Sequence, residues 1–226
     1  FKGLLGGHSG VEINSGRENA NKLCGGLLSY LNDKVDFDIV SINGGDKGNA
    51  ITNYCCVELC SENTSKLCDL IFKYGNDVKS AIASREKDFK LDVKVDSDFK
   101  ECSVFTEQLK ASIVYILSNI PNGVVKMSNE IENLVETSLN LGIVKTNDTS
   151  VYLLTSLRSN KENELYLLQD DLKAFFKNLN CNLSVSGFYP PWEFKNNSEL
   201  QSKYSKSYQD SVGRKPNINA IHAGLE

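Results

Sequence analysis

The chain has 226 residues, 40% of them hydrophobic and 24% charged, with 25 basic against 29 acidic side chains and a net charge of -4. That balance supports a sizeable core and excludes a disordered chain, and no apolar run approaches the roughly twenty residues of a transmembrane helix. Basic and acidic residues are interspersed, so no stripe emerges to track a nucleic-acid backbone. The seven cysteines form no C-x-x-C pair and no regular framework. Several fall at apolar positions, which fits reduced thiols packed as small hydrophobes in a cytoplasmic setting. The chain starts at Phe1 rather than Met and stops at Glu226 directly after an apolar stretch, which reads as a piece of a longer protein.

Phe1–Leu5 is read as an opening strand. Ser15 and Glu18 have capping-box spacing, and Ala20, Leu23, Leu27 and Leu31 share one face, which predicts a helix over 15–32. Val35, Phe37 and Ile39 alternate with Asp36 and Asp38, the pattern of a half-buried strand. A Gly-rich turn from Asn43 to Gly48 leads into a second strand through Ile51, Cys55, Val57 and Leu59. A long helix is predicted over 63–88, with Leu67, Leu70, Tyr74, Val78 and Ile82 on one side, and Leu91, Val93 and Val95 alternate as a further strand. The order βαββαβ defines an α+β class of ferredoxin-like form, an antiparallel sheet with helices on one face.

The pattern then nearly recurs. A helix is predicted at 106–119, strands at 134–145 and 150–158, a helix at 161–179 and a strand at 182–188. With 91–95 shared, this makes a second βαββαβ-like unit, without a residue-level repeat. Tyr189-Pro190-Pro191-Trp192 breaks the pattern as a linker. A helix over 197–212, a turn at Gly213–Pro216 and a strand at Ile218–Ala223 follow. The expected division is 1–190 and 191–226.

No His/Cys/Asp/Glu cluster has metal-ligand spacing, and there is no Walker loop, dinucleotide fingerprint or nucleophile elbow. The sharpest local feature is Gly6-Gly7-His8-Ser9-Gly10, which puts a histidine in a turn that glycine lets bend tightly against another surface. On spacing alone His8 also reads as a solvated loop histidine, Asn49 as a turn residue and Arg158 as a surface arginine. Cys55, Cys56 and Cys60 read as inert thiols, since none has a basic neighbour. His222 reads as structural, within the apolar pattern of Ile218 and Ile221.

Six stretches, in order along the chain, carry a more specific signal. They are Gly3 to Ile13 with Asn19 to Leu23, Asn43-Gly44-Gly45 leading to Asn49-Ala50-Ile51, Pro121 to Val124 with Met127-Ser128, Leu134 to Ser138, Asn140-Leu141-Gly142, and Lys215 to Ile218 running into Ile221 to Glu226. Together they resemble the bacterial aminoacyl-histidine dipeptidases, within the aminoacylase/carboxypeptidase type of zinc metallopeptidase. The resemblance implies a lid or dimerisation domain over 1–190 and the first helix and strand of a returning catalytic domain over 191–226. It implies two zinc ions held in the parent enzyme by residues outside this chain, with none bound to this piece.

Position by position, the resemblance makes His8 the lid histidine that donates to the oxyanion in the partner subunit's site. It makes Asn49 a substrate contact, Arg158 the clamp on the substrate carboxylate, and Glu226 a neighbour of the substrate amino group. It also implies a homodimer through the lid, a dipeptide substrate including Xaa-His, and no nucleic-acid or membrane partner. Val11 stands where the family pattern has a second glycine, which stiffens the turn without removing His8. The lid of a sibling tripeptidase, aminoacylase or carboxypeptidase is the alternative within the class. A non-catalytic ferredoxin-like binding or oligomerisation module is the alternative outside it.

Overall fold

The computed structural model describes residues 1–96, 102–193 and 198–224. In chain order the elements are β1 (Gly7–His8), α1 (Ala20–Asn32), β2 (Asp38–Gly44), β3 (Ala50–Ile51), β4 (Cys55–Cys60), α2 (Thr64–Ile82), α3 (Glu107–Asn119), β5 (Gly123–Met127), β6 (Val135–Thr146), β7 (Val151–Ser159), α4 (Glu162–Phe176) and α5 (Glu199–Val212). The class is the α+β expected, with every strand pairing antiparallel.

The long strand β6 organises the sheet. On one side it pairs with β7 along Thr137–Thr146. On the other, β5 runs beside its first half and β2 meets it at Val144 and Lys145, with β4 outside β2. β1 and β3 form a separate two-stranded ribbon. Leu139, Leu141 and Val144 of β6 join Ile39 and Ile42 of β2 in one core with Leu27, Leu28 and Leu31 of α1. Ile113 and Leu117 of α3, Leu67 and Ile71 of α2, and Leu168 and Leu172 of α4 complete it. Burial of a side chain of this size is worth about 1.5–3 kcal/mol, so the shared apolar face of sheet and helices holds the unit together.

Several boundaries differ from the sequence reading, for identifiable reasons. α1 starts at Ala20 rather than residue 15, because Gly16 has φ +68 and interrupts any helix running through it. Its cap is Asn19, whose side chain accepts from the Asn21 and Lys22 amides and donates to the Leu141 carbonyl at 2.9 Å, tying the helix start to β6. The opening strand is reduced to an isolated bridge between Lys2 and Lys90 and to Phe1, which exchanges backbone hydrogen bonds with Cys55, while 91–95 form no strand. Gly3 has φ +76 and lies so close to the Asp88 carbonyl that a side chain there would collide with it.

α2 ends at Ile82, and the following turn carries the buried Glu86, which accepts from the Leu5 and Glu18 amides. The stretches 182–188 and 218–223 form no strand: Leu183, Val185, Ile218 and Ile221 alternate or recur suitably but stand exposed, with no strand to pair among the described residues. α5 buries no residue. β5, which the sequence reading left without an element, fills the edge beside the first half of β6.

Candidate functional site

The His8 turn is built by its own backbone. The imidazole Nδ1 accepts from the Gly10 amide at 3.2 Å and the Val11 amide at 3.1 Å. With Nδ1 occupied as an acceptor, the proton of the neutral ring belongs on Nε2, which faces away from the turn as a donor. β1 pairs His8 with Ala50, and the Ser9 amide donates to the Asn49 carbonyl at 2.9 Å, so His8 and Asn49 are adjacent in space. The Asn49 residue itself is exposed.

The turn carrying Asn49 is seated on β6. Asn140 Nδ2 donates to the Gly48 carbonyl at 3.0 Å and the Ala50 carbonyl at 2.8 Å. Gly142 lets the two backbones touch: a Cβ there would fall 2.7 Å from Gly48 Cα. Glu136, Ser138 and Asn140 are all buried and share the face of β6 opposite Leu139 and Leu141. Glu136 is held between Lys126 and Lys161, each 3.0 Å away. Burial pushes its carboxyl up, and the Lys161 and Lys126 contacts more than offset this, leaving it below the ordinary carboxylate range.

Arg158 stands opposite Ser138 in the β6–β7 register. Its buried Nε has no hydrogen-bond partner among the described residues. His222 connects it to the histidine turn. The His222 ring Nε2 lies 2.7 Å from Ser138 Oγ, and its carbonyl lies against Gly10, where a Cβ would approach it to 2.3 Å. Burial and then the Arg158 charge lower the His222 pKa to about 4, so the ring is neutral at ordinary pH.

His8 and Asn49 therefore come together directly, and Arg158 joins them through His222. Glu226 lies outside the described residues. The strand expected around His222 does not form: the residue, read from the sequence as structural, sits in a loop docked on the polar face of β6. Ser138 and Asn140 entered the sequence reading only within stretches that carry the resemblance and received no role there, although Glu136, Ser138 and Asn140 at every second position signal a built polar face. Among the described residues no group of three or more His, Cys, Asp or Glu side chains could hold a metal ion, and no helix is long and apolar enough to cross a membrane. All seven cysteines are free thiols.

Residues 1–62 match the family described as "Peptidase dimerisation domain". The whole chain is 31% identical to the cytosol non-specific dipeptidase of Escherichia coli (strain K12), covering 47% of that protein. The crystal structure of aminoacylhistidine dipeptidase from Vibrio alginolyticus superposes with a TM-score of 0.86 at 35% identity over 99% of this chain and 46% of that one. The family match makes residues 1–62 similar to a peptidase dimerisation domain. More narrowly, in sequence and fold the chain belongs with the dimerisation, or lid, region of these dipeptidases, and it spans about half the length of the relatives it matches.

Proposed function

We propose that this chain is the lid and dimerisation portion of a cytoplasmic homodimeric dipeptidase that hydrolyses unblocked dipeptides, Xaa-His among them. The single observation that carries this reading is the His8 ring, whose Nδ1 is committed to two backbone amides and whose Nε2–H is left to donate outward. A donor fixed in advance is what an oxyanion requires, because it needs no reorganisation as charge develops. The names of the relatives, a cytosol non-specific dipeptidase and an aminoacylhistidine dipeptidase, support the substrate class and the compartment.

In this reading residues 1–190 are the lid and 191–226 begin the returning catalytic domain. His8 reaches the partner subunit's site, and Asn49, beside it, contacts the substrate. Arg158 receives the substrate carboxylate, a role suited to a guanidinium fork whose Nε has no hydrogen-bond partner among the described residues. Glu226 is assigned to the substrate amino group. The chemistry of activating water belongs to two zinc ions held by residues outside this chain. Alone, the chain is inactive.

The deciding experiment is His8→Ala in the full-length protein, assayed on a free dipeptide. Loss of an oxyanion donor lowers kcat by about 10²–10³-fold. Turnover within a few-fold of the unaltered enzyme would remove His8 from the reaction and leave the chain a dimerisation module.

A further inference from the structure

Glu12 and Arg17 surround the His8 turn, and neither is accounted for by the fold. Both are only partly exposed, at 31% and 24% of their side-chain surface. Glu12 Oε2 accepts from the His8 amide at 2.7 Å, and Glu12 Oε1 pairs with Arg17 Nη2. Arg17 Nη1 donates to the Gly6 carbonyl. One carboxylate and one guanidinium thus bind the backbone on both sides of Gly7 and bind each other between those two anchors.

The glycines are shaped for this clamp. Gly7 has φ +133, and a Cβ on it would lie 2.1 Å from Arg17 Nη1 and 2.3 Å from Glu12 Oε2. The empty space beside Gly7 is therefore the space that the two side chains occupy. The Glu12 amide in turn donates to the His8 carbonyl at 3.0 Å, closing the turn from the other side. This closed turn is what brings the Gly10 and Val11 amides under His8 Nδ1.

We infer that Glu12 and Arg17 are positioning residues that hold the His8 ring as an outward Nε2–H donor. They act through the backbone and touch neither substrate nor reacting atoms. The inference rests on the dipeptidase reading for its kinetic consequence, while its structural content, the tautomer and orientation of one ring, stands apart from that reading. A structural role alone would make the carboxylate a matter of stability. A positioning role couples it to the protonation pattern of a side chain four residues away.

The physical argument decides between the two. A free neutral histidine ring in water favours Nε2–H only modestly and exchanges between the two tautomers, and a committed acceptor bond at Nδ1 makes Nε2 the lasting donor. That bond depends on a turn made from Gly6, Gly7, Ser9 and Gly10, which has wide backbone freedom of its own. A charge-assisted clamp supplies the missing restraint, since hydrogen bonds to an ionised carboxylate are about twice as strong as neutral ones.

The test combines ring nitrogen NMR on this chain with kinetics on the full-length protein. With only two histidines, His8→Ala assigns the His8 signals by their loss. In the unaltered chain at neutral pH, His8 is expected to show Nδ1 unprotonated and Nε2 protonated. Glu12→Ala is expected to mix the tautomers and to lower kcat about tenfold with KM within about twofold, the split of a group acting at the transition state. Glu12→Gln keeps an acceptor for the His8 amide and is expected to recover part of both signals. If Glu12→Ala does not fold, Glu12→Gln and Arg17→Met carry the same comparison with gentler changes.

A dominant Nδ1–H tautomer in the unaltered chain overturns the inference. So does a clamp variant whose tautomer and kcat both stay within twofold of the unaltered protein. If instead His8→Ala leaves turnover intact, the dipeptidase reading fails, and the tautomer spectra still decide whether the clamp sets the ring.

Discussion

His222 and Ser138 meet at 2.7 Å between Nε2 and Oγ, joining a loop near the end of the chain to the first half of β6. The bond places a neutral imidazole beside Arg158 and a backbone carbonyl against the turn of His8. Two positions more than 80 residues apart thus bring Arg158 to His8 and Asn49.

This contact makes docking of the loop sensitive to acid. The folded pKa of His222 is lowered from 6.5 to about 4, first by burial and then by the Arg158 charge, while a bond to the Val135 carbonyl opposes the shift. Between those values the unfolded chain takes up a proton that the folded chain does not, so this residue's contribution to stability falls as pH falls, by at most ~1.4 kcal/mol per pH unit. His222→Gln keeps a polar partner for Ser138 and removes the titration. Urea unfolding at pH 7 and pH 5 is expected to show a smaller decline for the variant, and equal declines would refute the assignment.

Arg158 is expected to matter for substrates with a free carboxylate. Hydrogen bonds to charged groups are worth about 1.5–3 kcal/mol, so Arg158→Met in the full-length protein should raise KM for a free dipeptide roughly ten- to a hundredfold. The same dipeptide carrying a C-terminal amide should be hydrolysed with little change between the two proteins. Equal losses on both substrates would mean that Arg158 supports the sheet rather than the ligand.

The Asn49 turn lies on β6 through glycine on both sides. Gly45 has φ +75, and a Cβ there would meet the Gly142 carbonyl at 1.9 Å. Thr52 Oγ1 also donates to that carbonyl, at 2.7 Å. Gly142→Ala should lift the turn away from the strand at a cost of about 1–3 kcal/mol, as overpacking does elsewhere. The drop in unfolding midpoint, with shifted amide resonances at Gly48 to Ala50, checks it; an unchanged midpoint and spectrum would not be compatible with this packing.

Lys22 closes the C-terminus of α3. Its ammonium donates to the carbonyls of Leu117, Ser118 and Ile120 at 2.7, 3.0 and 2.8 Å, and burial lowers its pKa to about 8. These carbonyls end a helix dipole, where a cation is favoured. Lys22→Met leaves them without the donor and should destabilise the fold by about 1–3 kcal/mol in thermal unfolding. A melting temperature equal to that of the unaltered chain would show that water caps the helix as well as the lysine does.

What could be read locally was read well from the residues. Thr106 caps α3 where the apolar spacing begins, and its side chain accepts from the Leu109 amide. The periods of β6, β7 and α4 fall within a few residues of the observed elements, because an apolar stripe needs only its own helix or strand to declare its phase. The α+β class followed from the same periods. The motif around His8 was legible as well, since glycine spacing is a property of the chain itself.

Other features depended on partners that the residues could not announce. Alternation at Leu183 and Val185 is as good as that at Val57 and Leu59 of β4, yet a strand exists only where another backbone offers its free amides and carbonyls. The cap of α1 falls at Asn19, beyond the interruption at Gly16, and its side chain is held by the carbonyl of Leu141, more than a hundred residues away. His222 looked apolar in its neighbourhood and became polar in its contacts, because the face it rests on is assembled from Glu136, Ser138 and Asn140. Sequence determined the candidate residue types and the secondary-structure periods. Tertiary structure alone decided which of them share a surface, because long-range pairing of backbone and buried polar groups is set by the whole sheet and not by any segment of it.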